Sequence, residues 1–289
     1  MIDGKTAVCG LIGDPVEHTL SPVIHNTLAR ETGRNLVYVP FPVKAERVGD
    51  AIKGARALSI RGLNVTVPHK SAVIPFLNSV EKEAAMIGAV NTLVPEGEGY
   101  RGYNTDLTGL GRALDSEGVK LKDERVILLG AGGAARAAAF LCALRGASEV
   151  WLLNRTLQKA QELAGEVNCA VGRECMKPLA LSDWERIPEG RYLAIQGTKV
   201  GLAPDTENAP IEDERFYRLI HTGYDLIYRP VCTKFMRLTE AAGGNAFNGL
   251  KMLLYQGVEA FELWTGEPVS EEQAMICYER MKKELSGDE

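Results

Sequence analysis

Apolar positions along this chain fall into two alternating rhythms. Short, largely apolar runs at residues 7–12, 36–39, 125–129, 150–153, 192–195 and 224–227, with the alternating stretch 63–67, predict strands, several of them buried on both faces. Between them apolar residues recur three or four apart. Val23, Ile24 and Leu28 mark one helix face, and Val48, Ala51, Ile52 and Ala55 another. Ser21-Pro22 reads as a helix start, with serine as cap and proline at the first position, and Gly33 as the stop. Residues 89–94 and 100–103 flank a glycine-rich turn and predict a hairpin. Further helices are expected over 107–117, 134–145 and 248–264, and Ser270-Glu-Glu-Gln273 is a capping-box start for a last one. Strands alternating with helices predict an α/β protein with largely parallel sheets.

A length of 289 residues suggests two domains. Motifs place their boundaries near 107 and 240, giving 107–240 as one domain and 1–106 with 241–289 as the other. With 45% apolar and 25% charged residues, the chain has material for ordinary cores. A net charge of -5 without charge blocks argues against nucleic-acid or membrane partners and for a small molecule. The apolar run after Met1-Ile2-Asp3-Gly4-Lys5 is too short for a signal peptide or a membrane span. The six scattered cysteines form no C-x-x-C pair and read as reduced thiols of a cytoplasmic protein. None of the four histidines has ligand spacing, so no metal is expected.

Gly130-Ala131-Gly132-Gly133-Ala134-Ala135 directly follows the run 125–129 and opens a helix. In this G-x-G-x-x-A spacing the first glycine turns the chain and the second lets backbone approach a pyrophosphate. The small third residue packs helix on strand, and helix-start amides face the phosphates. The next strand ends in Asn154-Arg155-Thr156. An NAD site places an acid there for the ribose hydroxyl; here Arg155, with Thr156 and Lys159, offers a cradle for a 2′-phosphate. The cofactor expected is therefore NADP. Arg155 and Lys159 as plain solvated charges are the competing reading.

Polar residues also gather where packing does not require them. His18-Thr19-Leu20-Ser21-Pro22 puts two hydroxyls in one loop. Asn64 and Thr66 share a strand face and lead into His69-Lys70. Asn91-Thr92 and Tyr103-Asn104-Thr105-Asp106 add an amide and a carboxylate. This set resembles the shikimate dehydrogenase family (the shikimate/quinate dehydrogenase group). The resemblance spans nearly the whole chain, including Asp225-Leu-Ile-Tyr228 with Pro230 and Gly249-Leu250-Lys-Met252-Leu253-Leu-Tyr-Gln256-Gly257.

The resemblance implies an N-terminal α/β substrate domain, a Rossmann-type NADP-binding domain, and C-terminal helices returning to the first. It implies NADP(H)-dependent reversible reduction of 3-dehydroshikimate to shikimate, in aromatic amino-acid (chorismate) biosynthesis, by a monomer or homodimer. Lys70 and Asp106 match the family's catalytic pair. Thr19 and Ser21 match the hydroxyls that hold the substrate carboxylate. Asn64, Thr66, Asn91, Tyr228 and Gln256 match groups that bind ring hydroxyls or the carboxylate, and Thr198 and Gly249 join the cofactor set. Without the family, Asp106 reads as a cap for the following helix, Asn91 as a turn residue, Tyr228 as a core aromatic and Gln256 as a solvent-facing residue. His18 and His69 read as structural.

The chain departs from the family's pattern in two places. Thr19 stands where serine is usual, and its extra methyl narrows the pocket. Gln196-Gly-Thr198-Lys199-Val-Gly201 stands where the family has Asn-Ala-Thr-Pro-Val-Gly. Two alternatives stay open: a quinate/shikimate dehydrogenase or paralogue acting on a related hydroxylated ring carboxylate, and a nucleotide- or shikimate-binding regulator without turnover.

Overall fold

The computed structural model describes residues 2–287; Met1, the start of the N-terminal segment read above, lies outside them. The chain divides into two compact units, one running to Gly109 and resuming at Leu253, the other spanning Leu110–Met252.

The first unit contains β1 (Ala7–Gly13), α1 (Ser21–Glu31), β2 (Leu36–Pro42), α2 (Val48–Ala57), β3 (Gly62–Val65), β4 (Ser79–Val80), α3 (Lys82–Ile87), β5 (Thr92–Glu96) and β6 (Gly99–Tyr103), and the start of α4 (Thr105–Ser116). Its strands form one six-stranded sheet in the order β2-β1-β3-β5-β6-β4. β2, β1 and β3 run parallel; β5 pairs antiparallel with β3 and β6. The expected hairpin is β5–β6, with Glu96 opposite Gly99. Both faces of this sheet are covered, which explains why the first apolar run does not alternate with polar residues. Ile12, Leu63, Val65 and Leu93 pack with Val48 and Ile52. Cys9, Leu11 and Tyr38 pack with Ala260 and Trp264.

The second unit holds β7 (Arg125–Leu129), α5 (Gly133–Leu144), β8 (Glu149–Asn154), α6 (Leu157–Val171), β9 (Met176–Ala180), β10 (Tyr192–Gln196), α7 (Glu214–Tyr217), β11 (Ile220–Asp225), α8 (Lys234–Ala241) and β12 (Asn245–Phe247). These six strands form an all-parallel sheet in the order β12-β11-β10-β7-β8-β9. Helix α9 (Leu250–Thr265) brings the chain back to the first unit, and α10 (Glu271–Gly287) ends it. Gln273 and Ser270 form the expected reciprocal capping box at α10, at 2.9 and 3.2 Å. Trp264 on α9 donates its indole N–H to the Leu93 carbonyl at 3.0 Å. A Cβ at Gly62 would lie 2.1 Å from that indole nitrogen, so glycine alone lets α9 sit this close to β3. Truncating so large a buried side chain costs about 3–5 kcal/mol.

Several elements differ from the sequence expectations. Ser21 is the first residue of α1, not its cap; Leu20 holds the cap position and makes no side-chain cap bond. Instead the Thr19 hydroxyl accepts the Ser21 N–H at 3.2 Å. β11 lies at Ile220–Asp225, ahead of the expected 224–227, so Leu226 to Tyr228 form the loop beyond its end. β9 carries Pro178 and occupies a sheet edge, where a missing N–H is tolerated, and the proline concealed it. β12 is a three-residue edge strand added to β11. It carries the second unit past residue 240, to Met252, whereas the first cut falls three residues beyond 106.

Candidate active site

Lys70 lies just beyond β3 and Asp106 in the first turn of α4. Lys70 Nζ donates to Asp106 Oδ2 at 2.6 Å. The other carboxylate oxygen accepts from Asn91 Nδ2 at 2.9 Å. The carboxylate side chain is 11% exposed and the lysine 25%, so the lysine is the more accessible of the two. Asp106 does not cap α4. Asn104 does so, its Oδ1 accepting the N–H groups of Asp106 and Leu107 at 3.1 and 3.3 Å. Capping by Asn104 leaves Asp106 free to turn to Lys70. Asn91 Nδ2 also approaches Gln256 Oε1 at 3.5 Å, so Gln256 faces this cluster rather than open solvent. A Cβ at Gly109 would lie 2.6 Å from the Gln256 backbone nitrogen; glycine there lets α4 and α9 meet.

Beneath the pair lies a buried polar network. Asn64 Oδ1 accepts from Tyr38 Oη at 2.8 Å and faces His25 Nε2 at 3.1 Å. Asn64 Nδ2 donates to the Asn91 carbonyl at 3.2 Å and to Thr92 Oγ1 at 3.0 Å. All four amide positions of Asn64 are thus engaged by protein groups. Burial between Tyr38, stacked on its ring, and Trp264, tilted against it, lowers His25 to about 3, against the weaker pull of Asn64, so its ring is neutral. Burial also raises Tyr38 well above its ordinary range, and the Ser21 hydroxyl beside it works the other way. Thr19 Oγ1 donates to Ser21 Oγ at 3.1 Å. Thr66 stands one residue past β3, its N–H still bonded to the Ile12 carbonyl at 2.9 Å. Its methyl fills the space a Cβ at Gly13 would need, at 2.3 Å. His69 is buried and its Nε2 meets the Val43 carbonyl at 2.6 Å, as befits a structural residue; His18 is exposed. His25, Tyr38, Thr92 and Thr105 carry this network, and the sequence reading gave none of them a role. Tyr38 is hidden in an apolar strand and His25 in a helix, where nothing local marks a polar partner.

In the second unit, Gly130 has φ +108 and donates its N–H to Leu153 at 2.7 Å. A side chain there would be strained and would sit 3.0 Å from the Gly197 carbonyl. Gly132 is the N-cap of the twelve-residue α5. Nothing lies within 4 Å of a Cβ at Gly132 or Gly133, and both face solvent with Ala134. Open backbone amides at a helix start are what a pyrophosphate needs. Asn154 ties down the next turn, donating to the Thr156 carbonyl at 2.9 Å. Arg155, Thr156 and Lys159 are exposed. Among the described residues no side-chain bond engages either cation. This unit therefore fits a phosphorylated dinucleotide.

Gln196 ends β10 fully buried. Its Nε2 donates to the Val200 carbonyl at 3.1 Å and to Asp225 Oδ1 at 3.3 Å, and its Oε1 accepts from Thr198 N–H at 2.5 Å. The longer glutamine so spans the loop from inside, and Thr198 closes it by accepting the Val200 N–H at 3.1 Å. Asp225 accepts from the Ile227 N–H at 2.9 Å and from Thr233 Oγ1 at 2.6 Å. Burial nonetheless pushes its carboxyl up to about 6. Tyr228 follows in the same loop, half-buried, with its phenol raised by burial. A Cβ at Gly249 would lie 2.2 Å from the Leu226 carbonyl oxygen, so this glycine locks the loop to the start of α9.

A parallel sheet with an open glycine turn, and a lysine–aspartate pair in the other unit, suit a nicotinamide-nucleotide dehydrogenase. Family models match three stretches: the shikimate dehydrogenase substrate binding domain over residues 11–93, shikimate / quinate 5-dehydrogenase over 113–183, and the shikimate 5′-dehydrogenase C-terminal domain over 249–275. The chain is 44% identical over 272 residues to the shikimate dehydrogenase (NADP(+)) of Methanothermobacter thermautotrophicus, covering 92% of this chain and 93% of that one. It is 40% identical over 287 residues to that of Moorella thermoacetica, covering 99% and 96%. It superposes with a TM-score of 0.83 on the Thermus thermophilus enzyme in complex with NADP(H) and shikimate, at 34% identity over 96% of this chain and 100% of that one. The chain belongs to the shikimate dehydrogenase family.

Proposed function

We propose that this protein catalyses the reversible NADP(H)-dependent reduction of 3-dehydroshikimate to shikimate in aromatic amino-acid biosynthesis, with residues up to Gly109 and from Leu253 holding the substrate and Leu110–Met252 the cofactor. The observation that carries the reading is the Lys70–Asp106 pair at 2.6 Å, with Asn91 on the second carboxylate oxygen. The bound cofactor supplies a hydride to the ring carbonyl carbon or takes it back.

The protein's share is to hold the ring and to manage charge on its oxygen. The Lys70 ammonium donates to the carbonyl oxygen as negative charge grows there, and its proton completes the alcohol. Asp106, bonded to Nζ at 2.6 Å, keeps that ammonium aimed. Thr19 and Ser21 take the substrate carboxylate; Thr66, Asn91, Tyr228 and Gln256 take the remaining polar groups. Asn64, with its amide already filled, acts on the substrate through the framework rather than by direct contact. Gly130 to Ala134 receive the pyrophosphate, Asn154 to Thr156 with Lys159 the 2′-phosphate, and Thr198 and Gly249 border the nicotinamide. We further place the enzyme in the cytoplasm, as a monomer or homodimer.

The test is reduced-nicotinamide absorbance with shikimate or quinate and with NADP⁺ or NAD⁺. A rate confined to shikimate and NADP⁺ is expected, and Lys70→Met lowers kcat by about 10²–10³-fold. A preference for quinate would overturn the substrate assignment and point to Thr19. Binding of both ligands without turnover would make the protein a regulator.

A further inference from the structure

The Asn91 amide holds Asp106 by its nitrogen, yet an amide is nearly symmetric in shape and a half-turn would put its oxygen against the carboxylate. Two backbone groups, which cannot exchange donor for acceptor, decide the matter. The Thr105 N–H can only donate, and it meets Asn91 Oδ1 at 2.7 Å. The Asn91 carbonyl can only accept, and it meets Asn64 Nδ2 at 3.2 Å. These two anchors set the polarity of the Asn91 and Asn64 amides. Asn64 turns Oδ1 to Tyr38 and His25, so Tyr38 Oη and His25 Nε2 donate. Asn64 Nδ2 then donates to Thr92 Oγ1 as well, at 3.0 Å. The single hydroxyl proton of Thr92 then has two acceptors in reach, Asn91 Oδ1 at 3.1 Å and Thr105 Oγ1 at 3.2 Å, and Thr105 Oγ1 itself donates to Asn91 Oδ1 at 3.1 Å, so either path leads to that oxygen. Tyr38, Thr92 and Thr105 are at most 1% exposed, so water cannot replace a missing partner.

We infer that Thr92 is a positioning residue: its hydroxyl ties the buried Asn64 amide to Asn91 and, beside the Thr105 N–H, steadies the amide that holds Asp106 Oδ1 and leaves Oδ2 for Lys70. It touches neither Lys70 nor Asp106. It acts through Asn91, which without it keeps only the two Thr105 donors on Oδ1, while Asn64 loses an acceptor. The inference rests on the catalytic reading of Lys70 and Asp106, and the readouts separate the two.

The test uses the full chain with Thr92→Val, of nearly the same shape, Thr92→Ser, and each combined with Asn91→Ala. T92V is expected to lower kcat for the ring reduction about tenfold, as for one buried hydrogen bond lost, with the NADPH Kd unchanged. T92S recovers most of the rate. In the N91A background T92V costs nothing further, because the group it steers is gone. A rate for T92V within about twofold of wild type, the same loss in both backgrounds, or no recovery in T92S would each overturn the proposal. If T92V fails to fold by circular dichroism, Tyr38→Phe takes its place: a smaller loss of kcat, abolished by N91A, supports the proposal, and its persistence in N91A overturns it. Nitrogen-15 NMR of the Asn91 side-chain amide, assigned with N91A, needs no turnover. A single sharp pair of proton resonances in wild type, broadened or shifted in T92V, supports the inference even if the wild-type rate is absent and the catalytic reading falls. An unchanged pair overturns it whatever the rate.

Discussion

Asp225 gives the second unit a distinct response to acid. Its carboxyl is pushed up to about 6, against about 3.9 for an unperturbed aspartate, because burial outweighs the bonds from Thr233, the Ile227 N–H and Gln196. At about 1.4 kcal/mol per tenfold change in proton affinity, ionising Asp225 is about 3 kcal/mol harder in the native unit than in the unfolded chain. Between about pH 4 and pH 6 the native state binds more protons here than the unfolded state does, so stability falls as pH rises through that window. Above it the whole penalty stands. Asp225→Asn keeps the shape and the oxygen facing Ile227 and Gln196, while the Thr233 hydroxyl turns to accept from the new amide. The variant should therefore lack this one pH-dependent term. Urea unfolding, followed by hydrogen exchange of β10 and β11 amides so that only the second unit is read, measures it. Subtracting variant from wild type cancels every other titrating group. The difference should change by about 2.4 kcal/mol between about pH 4 and pH 8, with wild type gaining on the variant as acid is added. A flat difference would refute the reasoning and show Asp225 ionised throughout.

The first unit should respond in the opposite sense, since His25 is held to about 3 and the unfolded chain takes up a proton near 6.5; its stability is lost as pH falls below about 6.5, and His25→Gln should reduce that slope in unfolding followed at Trp264. Arg155→Ser should raise the NADP⁺ KM about 10- to 100-fold and leave the shikimate KM unchanged, since it removes a charge-assisted phosphate contact; equal changes in both would refute the 2′-phosphate assignment. Gly249→Ala, meeting backbone at 2.2 Å, should cost about 1–3 kcal/mol and lower Tm; an unchanged Tm would show that the loop after β11 yields freely.

The second unit's inner strands were legible because strands buried on both faces write themselves as unbroken apolar runs, as in Arg125–Leu129 and Tyr192–Gln196. Edge strands had no such signature: Pro178 broke one and the other is only three residues long. The glycine turn was readable because backbone approach to phosphate demands particular residues at a fixed spacing. The lysine–aspartate pair was not, since no local pattern marks Lys70 or Asp106, and only resemblance singled them out. Still less readable was the support beneath them. Tyr38 and His25 meet Asn64 across 26 and 39 residues of chain, and such pairings are settled only when the sheet closes.

The discontinuous first unit has a consequence for synthesis. A ribosome delivers residues up to Gly109 first, yet their sheet is covered on one face by Ala260 and Trp264, encoded near the other end. Until α9 emerges, Gly62 has no indole over it and the Leu93 carbonyl has no donor. The intervening segment carries its whole parallel sheet and leaves the exit tunnel complete. The second unit is thus complete before the unit made first can finish, and once about 250 residues have emerged the chain presents a completed fold tethered to one still waiting for its lid.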